Sequence, residues 1–151
     1  VIGEEKMLEV AGLSGEFEVF LYDSSGNLKE YRKVKNITVN SGFSAVCDMM
    51  GQGGVEPFKY CAIGTATNAP DASDTSLGGE IARVQGGYTK VSNTVWQNEA
   101  TFGAGTGTGA ITESGLFNGS SGGTMLCRQT FAVINKGEND TLVITWQYTL
   151  S

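Results

Sequence analysis

A chain of 151 residues, 40% hydrophobic and 17% charged, is sized for one domain with its own core. Sixteen Asp and Glu against ten Lys and Arg give a formal charge of −6, which argues against nucleic-acid and anionic-membrane partners, since phosphate binding relies on clustered cations. Histidine is absent, which excludes Ser-His-Asp and Cys-His schemes, and no apolar run approaches the ~18–20 residues that span a bilayer.

Residues 1–15 carry mixed polarity and end in Gly12-Leu13-Ser14-Gly15, so they read as an extended N-terminal arm ahead of one β-domain at 16–151. The opening Val1-Ile2-Gly3-Glu4-Glu5-Lys6 lacks the basic-then-apolar layout of a signal peptide, which implies synthesis in a cytoplasm. Residues 16–22 alternate with Phe17, Val19 and Leu21 on one face, Asp23-Ser24-Ser25-Gly26-Asn27 signals a turn, and residues 28–35 return as the second strand of a hairpin. A short helix is predicted over 43–51, with Ser41 as its cap and Phe43, Val46 and Met50 on one face. Residues 58–64 read as a strand, and 65–79 as a polar connection long enough to be functional. Further strands are predicted at 80–84, 88–96, 97–102, 110–117, 124–134 and 141–150. In the last of these Leu142, Ile144, Trp146, Tyr148 and Leu150 share a face, the pattern of a half-buried antiparallel strand.

Twenty-two glycines and many short strands with turn punctuation indicate an all-β fold: an antiparallel sandwich or barrel, jelly-roll-like, with one short helix. Cys47, Cys61 and Cys127 lie among apolar residues and read as reduced, buried small hydrophobes. Zinc would need four close ligands, and without histidine they are not assembled here.

Few groupings suggest chemistry. Gly103-Ala104-Gly105-Thr106-Gly107-Thr108-Gly109-Ala110 contains a G-x-G-x-x-A string, but no βαβ alternation surrounds it, so a loop tip is the expected reading. Asp71, Asp74 and Glu80 could bind a hard cation through oxygen, though their spacing is not that of an EF-hand, and a solvated acidic loop is the plainer expectation. Glu99 and Glu113 are the carboxylate pair that a glycosidase would need, a pairing that most β-proteins of this size would offer. The sequons at Asn36, Asn118 and Asn139 read as chance matches without a secretion signal. The charge pattern is more suggestive. Lys29, Arg32, Lys33 and Lys35 cluster on the second strand, while Glu4, Glu5 and Glu9 load the arm beside the apolar Ile2, Met7, Leu8 and Val10. An acidic arm docking on a basic strand of a neighbouring subunit or larger assembly would use Ile2, Glu4, Glu5, Met7, Leu8, Val10, Arg32, Lys33 and Lys35 as interface residues.

Six pieces carry a resemblance. They are Asn36-Ile37-Thr38-Val39-Asn40-Ser41-Gly42-Phe43, Ala62-Ile63-Gly64-Thr65 with Ala69-Pro70, Asp74-Thr75-Ser76-Leu77 to Glu80-Ile81-Ala82-Arg83, Ile111-Thr112-Glu113-Ser114-Gly115-Leu116-Phe117-Asn118, Gly122-Gly123-Thr124-Met125-Leu126-Cys127-Arg128 and Asp140-Thr141-Leu142-Val143-Ile144-Thr145-Trp146. In this order, across residues 36–150, the chain resembles small virion proteins of tailed bacteriophages, described variously as capsid-decoration (cement) or tail-fibre proteins. The resemblance implies a structural, non-enzymatic protein with no cofactor. As a decoration protein it would sit on the outer capsid surface, bound to the major capsid protein, usually as a homotrimer. The alternative it implies is a tail-fibre or tail-tip protein contacting the host surface. An arm of ~15 residues reaches at most ~50 Å and could lock onto neighbouring subunits.

Overall fold

Period-2 alternation of apolar residues builds most of this molecule, which a computed structural model describes over residues 12–151. The elements are β1 (Leu13–Tyr22), β2 (Leu28–Lys35), β3 (Ile37–Thr38), α1 (Asn40–Gly51), β4 (Tyr60–Gly64), β5 (Glu80–Gln85), β6 (Gly87–Lys90), β7 (Val95–Phe102), β8 (Gly109–Phe117), β9 (Met125–Lys136) and β10 (Thr141–Leu150). They form two five-stranded sheets, ordered β2-β1-β10-β7-β6 and β3-β9-β8-β4-β5. Every pairing is antiparallel. The fold is a sandwich, and the sheets do not close into a barrel.

The inner faces meet in one core. Phe17, Val19 and Leu21 of β1 and Leu142, Ile144, Trp146 and Tyr148 of β10 pack against Cys61, Ile63, Ile111, Leu116 and Ile134 of the second sheet. Leu150 leaves the expected stripe and is exposed where the strand runs past the core. Trp146 ties the layers together: its ring lies tilted against Phe17 of its own sheet at 4.2 Å between centroids, and its Nε1 donates across the core to Cys61 Sγ at 3.4 Å. A buried indole needs such a partner for its N–H.

Both sides of the sandwich are closed by chain that changes sheets. β2 passes through Asn36 into β3, and β5 passes through Gly86 into β6. At the second corner a Cβ on residue 86 would run into the Asn98 carboxamide, so the turn is open only to glycine. At the first, Arg32 donates to the carbonyls of Ala132 (3.3 Å) and Val133 (3.2 Å), bridging β2 to β9. Each corner also holds a buried carboxamide oxygen with no donor, Oδ1 of Asn36 and of Asn98.

Several expectations change. β1 begins at Leu13, and Leu13, Ser14 and Gly15 pair with Leu150, Thr149 and Tyr148, so the sheet takes in residues assigned to the arm. Ile2, Glu4, Glu5, Met7, Leu8 and Val10 lie outside the described residues. The strand expected over 88–96 is a hairpin. The polar run Ser92, Asn93 and Thr94 bends the chain, and Val91 N–H closes the turn on Val95 O at 2.9 Å.

The helix is inverted relative to its predicted face. Gly42 and Ala45 are buried, Val46 is half-buried, and Phe43 and Met50 are 47% and 76% exposed. The cause is close approach. A Cβ on residue 42 would stand 2.9 Å from Leu126 Cα, so only glycine lets the helix backbone lie against β9. Ser41 is not the cap; the N-cap is Val39, and Ser41 Oγ donates to Met125 O at 3.1 Å. Cys47, on the outward side, is exposed, contrary to expectation, whereas Cys61 and Cys127 are buried. Burial pushes the Cys61 thiol up to about 11 and the Cys127 thiol to about 12, leaving neither a thiolate near neutral pH. A thiol reagent at neutral pH is therefore expected to modify Cys47 alone in the native protein and all three cysteines after unfolding; rapid native labelling of Cys61 or Cys127 would contradict this packing.

Candidate functional site

The long connection 65–79 does not hang in solvent but lies across the outer face of the second sheet. Its apolar anchor is Leu77, buried with Val39, Ala62, Phe117 and Met125 in a second, smaller core. Its polar anchor is a buried ion pair on the same face. Glu113 and Arg128 are 0% and 1% exposed. Their strands place Thr130 opposite Glu113 and Gly115 opposite Arg128, so the two charges are diagonal neighbours that long side chains can span. Arg128 Nε donates to Glu113 Oε1 at 3.0 Å.

The remaining valences go to the connection. Glu113 accepts the N–H groups of Ala66 (2.9 Å), Gly78 (2.9 Å) and Gly79 (2.7 Å). Arg128 donates to Asp74 Oδ2 (2.9 Å), Asn68 O (3.1 Å) and Asn68 Oδ1 (3.2 Å). Thr112 Oγ1 adds a bond to Ala66 O at 2.7 Å. Gly64, opposite Glu113 on β4, leaves room for this: a Cβ there would stand 2.5 Å from the carboxylate. Burying two charges costs several kcal/mol per ion unless every hydrogen-bonding site is filled. Here the carboxylate accepts four donors and four of the five guanidinium N–H groups are taken, in each case three of the four bonds going to the loop.

This arrangement fits a clamp and not a catalyst. A carboxylate already accepting four donors has little left for a substrate. Glu99, its proposed partner, is exposed on the outer face of the first sheet with the sandwich between them, so the glycosidase pairing is not assembled. Asp71, Asp74 and Glu80 are each engaged: Asp71 accepts from Ser73 N–H and Oγ, which holds its carboxyl below the usual range, Asp74 binds Arg128, and Glu80 binds Arg83 at 2.7 Å. Among the described residues no group of three His, Cys, Asp or Glu is placed to hold a metal. The 103–109 glycines turn with positive φ at Gly105, Gly107 and Gly109 and lead into strand β8, with no helix terminus to hold phosphate.

The basic strand is largely neutralised from within. Lys29 pairs with Asp140 at 2.9 Å, Arg32 with Glu30 at 3.0 Å, and Lys33 with Glu16 at 3.8 Å. The Lys29 ammonium also holds the Asp140 carboxyl below its ordinary range. Lys35 is exposed, across from Glu16 in the β1–β2 register. Among the described residues three surfaces stay available: the outer face of the first sheet with Phe20 and Tyr31 in contact, the exposed Tyr88 stacked on Trp96, and the outward side of α1. Beside α1 a groove of about 480 Å³ is lined by Ser41, Ser44, Asp48, Glu56, Asn118 and Thr124, among others.

The Arg128–Glu113 pair escaped sequence reasoning. Its signal was one charge, Glu113 in β8 and Arg128 in β9, set within an otherwise uncharged run of each strand. No family model, no curated protein and no solved structure matches this chain.

Removing Arg128 alone, by Arg128→Met, is expected to cost about 3–5 kcal/mol in urea unfolding because it strands a buried carboxylate. The double variant Arg128→Met/Glu113→Leu should recover part of that loss. A double variant no better than the single one would show that the pair is not coupled as described.

Proposed function

We propose that this chain is a structural protein of a tailed-phage particle, a decoration protein that binds the outer capsid surface and stabilises the shell. One observation carries the reading. Asp74, Glu113 and Arg128 belong to three separate pieces of the virion-protein resemblance, and in the fold they meet at a single clamp. Val39 and Ala62, from two further pieces, join Leu77 in the small core beside it. Five of the six pieces thus gather on and around one loop-covered sheet, and the sixth lies in β10 of the sheet packed against it.

The physics suits adhesion. A scaffold closed at both sides and clamped over one face loses little entropy when it docks, so buried area converts efficiently into binding. Stable interfaces bury about 1,200–2,000 Å² in total, and the outer face of the first sheet is open to supply part of that area. Trimerisation and attachment through residues 1–11, together with the major capsid protein as partner, belong to this proposal. A tail-tip location is the second reading. The exposed Tyr88 stacked on Trp96 at 6.3 Å favours it, as a platform for a host-surface sugar ring.

Immunogold labelling of intact particles with antibody to the folded domain separates the readings. Label over the heads is expected, label confined to tails would select the tail-tip reading, and unlabelled particles would remove both.

A further inference from the structure

α1 turns its largest apolar residues toward solvent. Phe43, Cys47 and Met50 recur at i, i+4 and i+7 on the exposed side, with Met49 at their flank. The helix cannot roll to bury them, because four constraints fix its orientation. Gly42 lies against Leu126, Ser41 Oγ bonds Met125 O, Val39 N–H bonds Leu126 O at 3.0 Å, and Asn40 N–H bonds Ala72 O at 2.8 Å. The last of these partners sits on the clamped connection, so the buried ion pair also steadies the helix.

Charge identifies what would cover this side. From Asn36 to Phe58 the chain has no Lys or Arg, and its ionisable carboxylates are Asp48 and Glu56, which line the groove at the foot of the helix. A second copy docked here about a two-fold axis would set these acids against their own images. Nor do the described residues of another copy offer a cluster of cations: Lys29, Arg32 and Lys33 are paired internally, and the exposed Lys35 and Lys90 stand on β2 and β6, the two opposite edges of the first sheet.

We infer that the outward side of α1 is the shell-facing docking surface, and that its partner is a capsid-protein groove with an apolar floor and a Lys- or Arg-bearing rim. This inference rests on the decoration reading above. Phe43 and Met50 enter the groove as the anchors of a helix-in-groove contact, Met49 adapts to its wall, and Asp48 and Glu56 meet the basic rim.

The test is co-sedimentation of purified full-length protein with phage shells assembled without this chain. Phe43→Ser/Met50→Asp is expected to weaken binding roughly tenfold or more, as loss of central anchors does. Asp48→Asn/Glu56→Gln should weaken it less and flatten its salt dependence. Val91→Ser, exposed away from the helix, should bind as the parent does. A bulky maleimide on Cys47 of the unsubstituted protein should block binding too, which covers the case of a variant that fails to fold. Parent-like binding by both Phe43→Ser/Met50→Asp and the Cys47 adduct would overturn the α1 surface while leaving the decoration reading in place. Failure of the parent protein to bind shells would overturn both. Self-association of the parent that Phe43→Ser/Met50→Asp abolishes would identify the occupant as a second copy and overturn the inference.

Discussion

The guanidinium of Arg128, buried against Glu113 on the outer face of a sheet, is the contact on which the rest of this molecule depends. Neither charge would be tolerated there alone. Together they still expose lone pairs and N–H groups that water would otherwise fill, and the connection 65–79 supplies the substitutes from Ala66, Asn68, Asp74, Gly78 and Gly79. A stretch with few apolar residues thereby acquires a fixed path. Leu77 adds an apolar anchor and closes the small core over Phe117 and Met125. Through Ala72 the same stretch reaches the start of α1, so the position of the helix is tied to the clamp.

Glycines set distances throughout this arrangement. Gly42 brings the helix onto β9, Gly64 leaves space for the Glu113 carboxylate, and Gly86 lets the chain change sheets beside Asn98. At these positions a methyl group would collide with backbone or with a held side chain, which gives part of the high glycine content a steric cause.

How much of this was legible beforehand depended on the kind of interaction. The alternating strands were, because period 2 with a buried face leaves a direct trace: β10 was placed at its observed bounds, with Leu142 through Tyr148 on the core side. The helix location was legible but its orientation was not, since hydrophobicity points Phe43 and Met50 inward while the steric fit of Gly42 on Leu126 points them out. The 88–96 hairpin was hidden because its turn, Ser92-Asn93-Thr94, holds neither Gly nor Pro to punctuate the run. The clamp was least visible, since it joins residues distant in sequence through strand register and through backbone N–H groups that leave no mark on residue identity. Arg32 and Lys33 were correctly placed on β2, but their partners Glu30, Glu16 and the carbonyls of β9 emerge only in three dimensions.

A domain with both sides closed, one face strapped and an apolar helix side held outward is organised to present surfaces. Its stability and its proposed adhesion draw on the same buried pair, because loss of the clamp would release the loop that positions α1. Native-state hydrogen exchange on the amides of Ala66, Gly78 and Gly79 tests that dependence most directly. They are expected to exchange as slowly as the central amides of β8, opening only with the whole domain. Exchange at the rate of an exposed loop, with β8 still protected, would contradict the account.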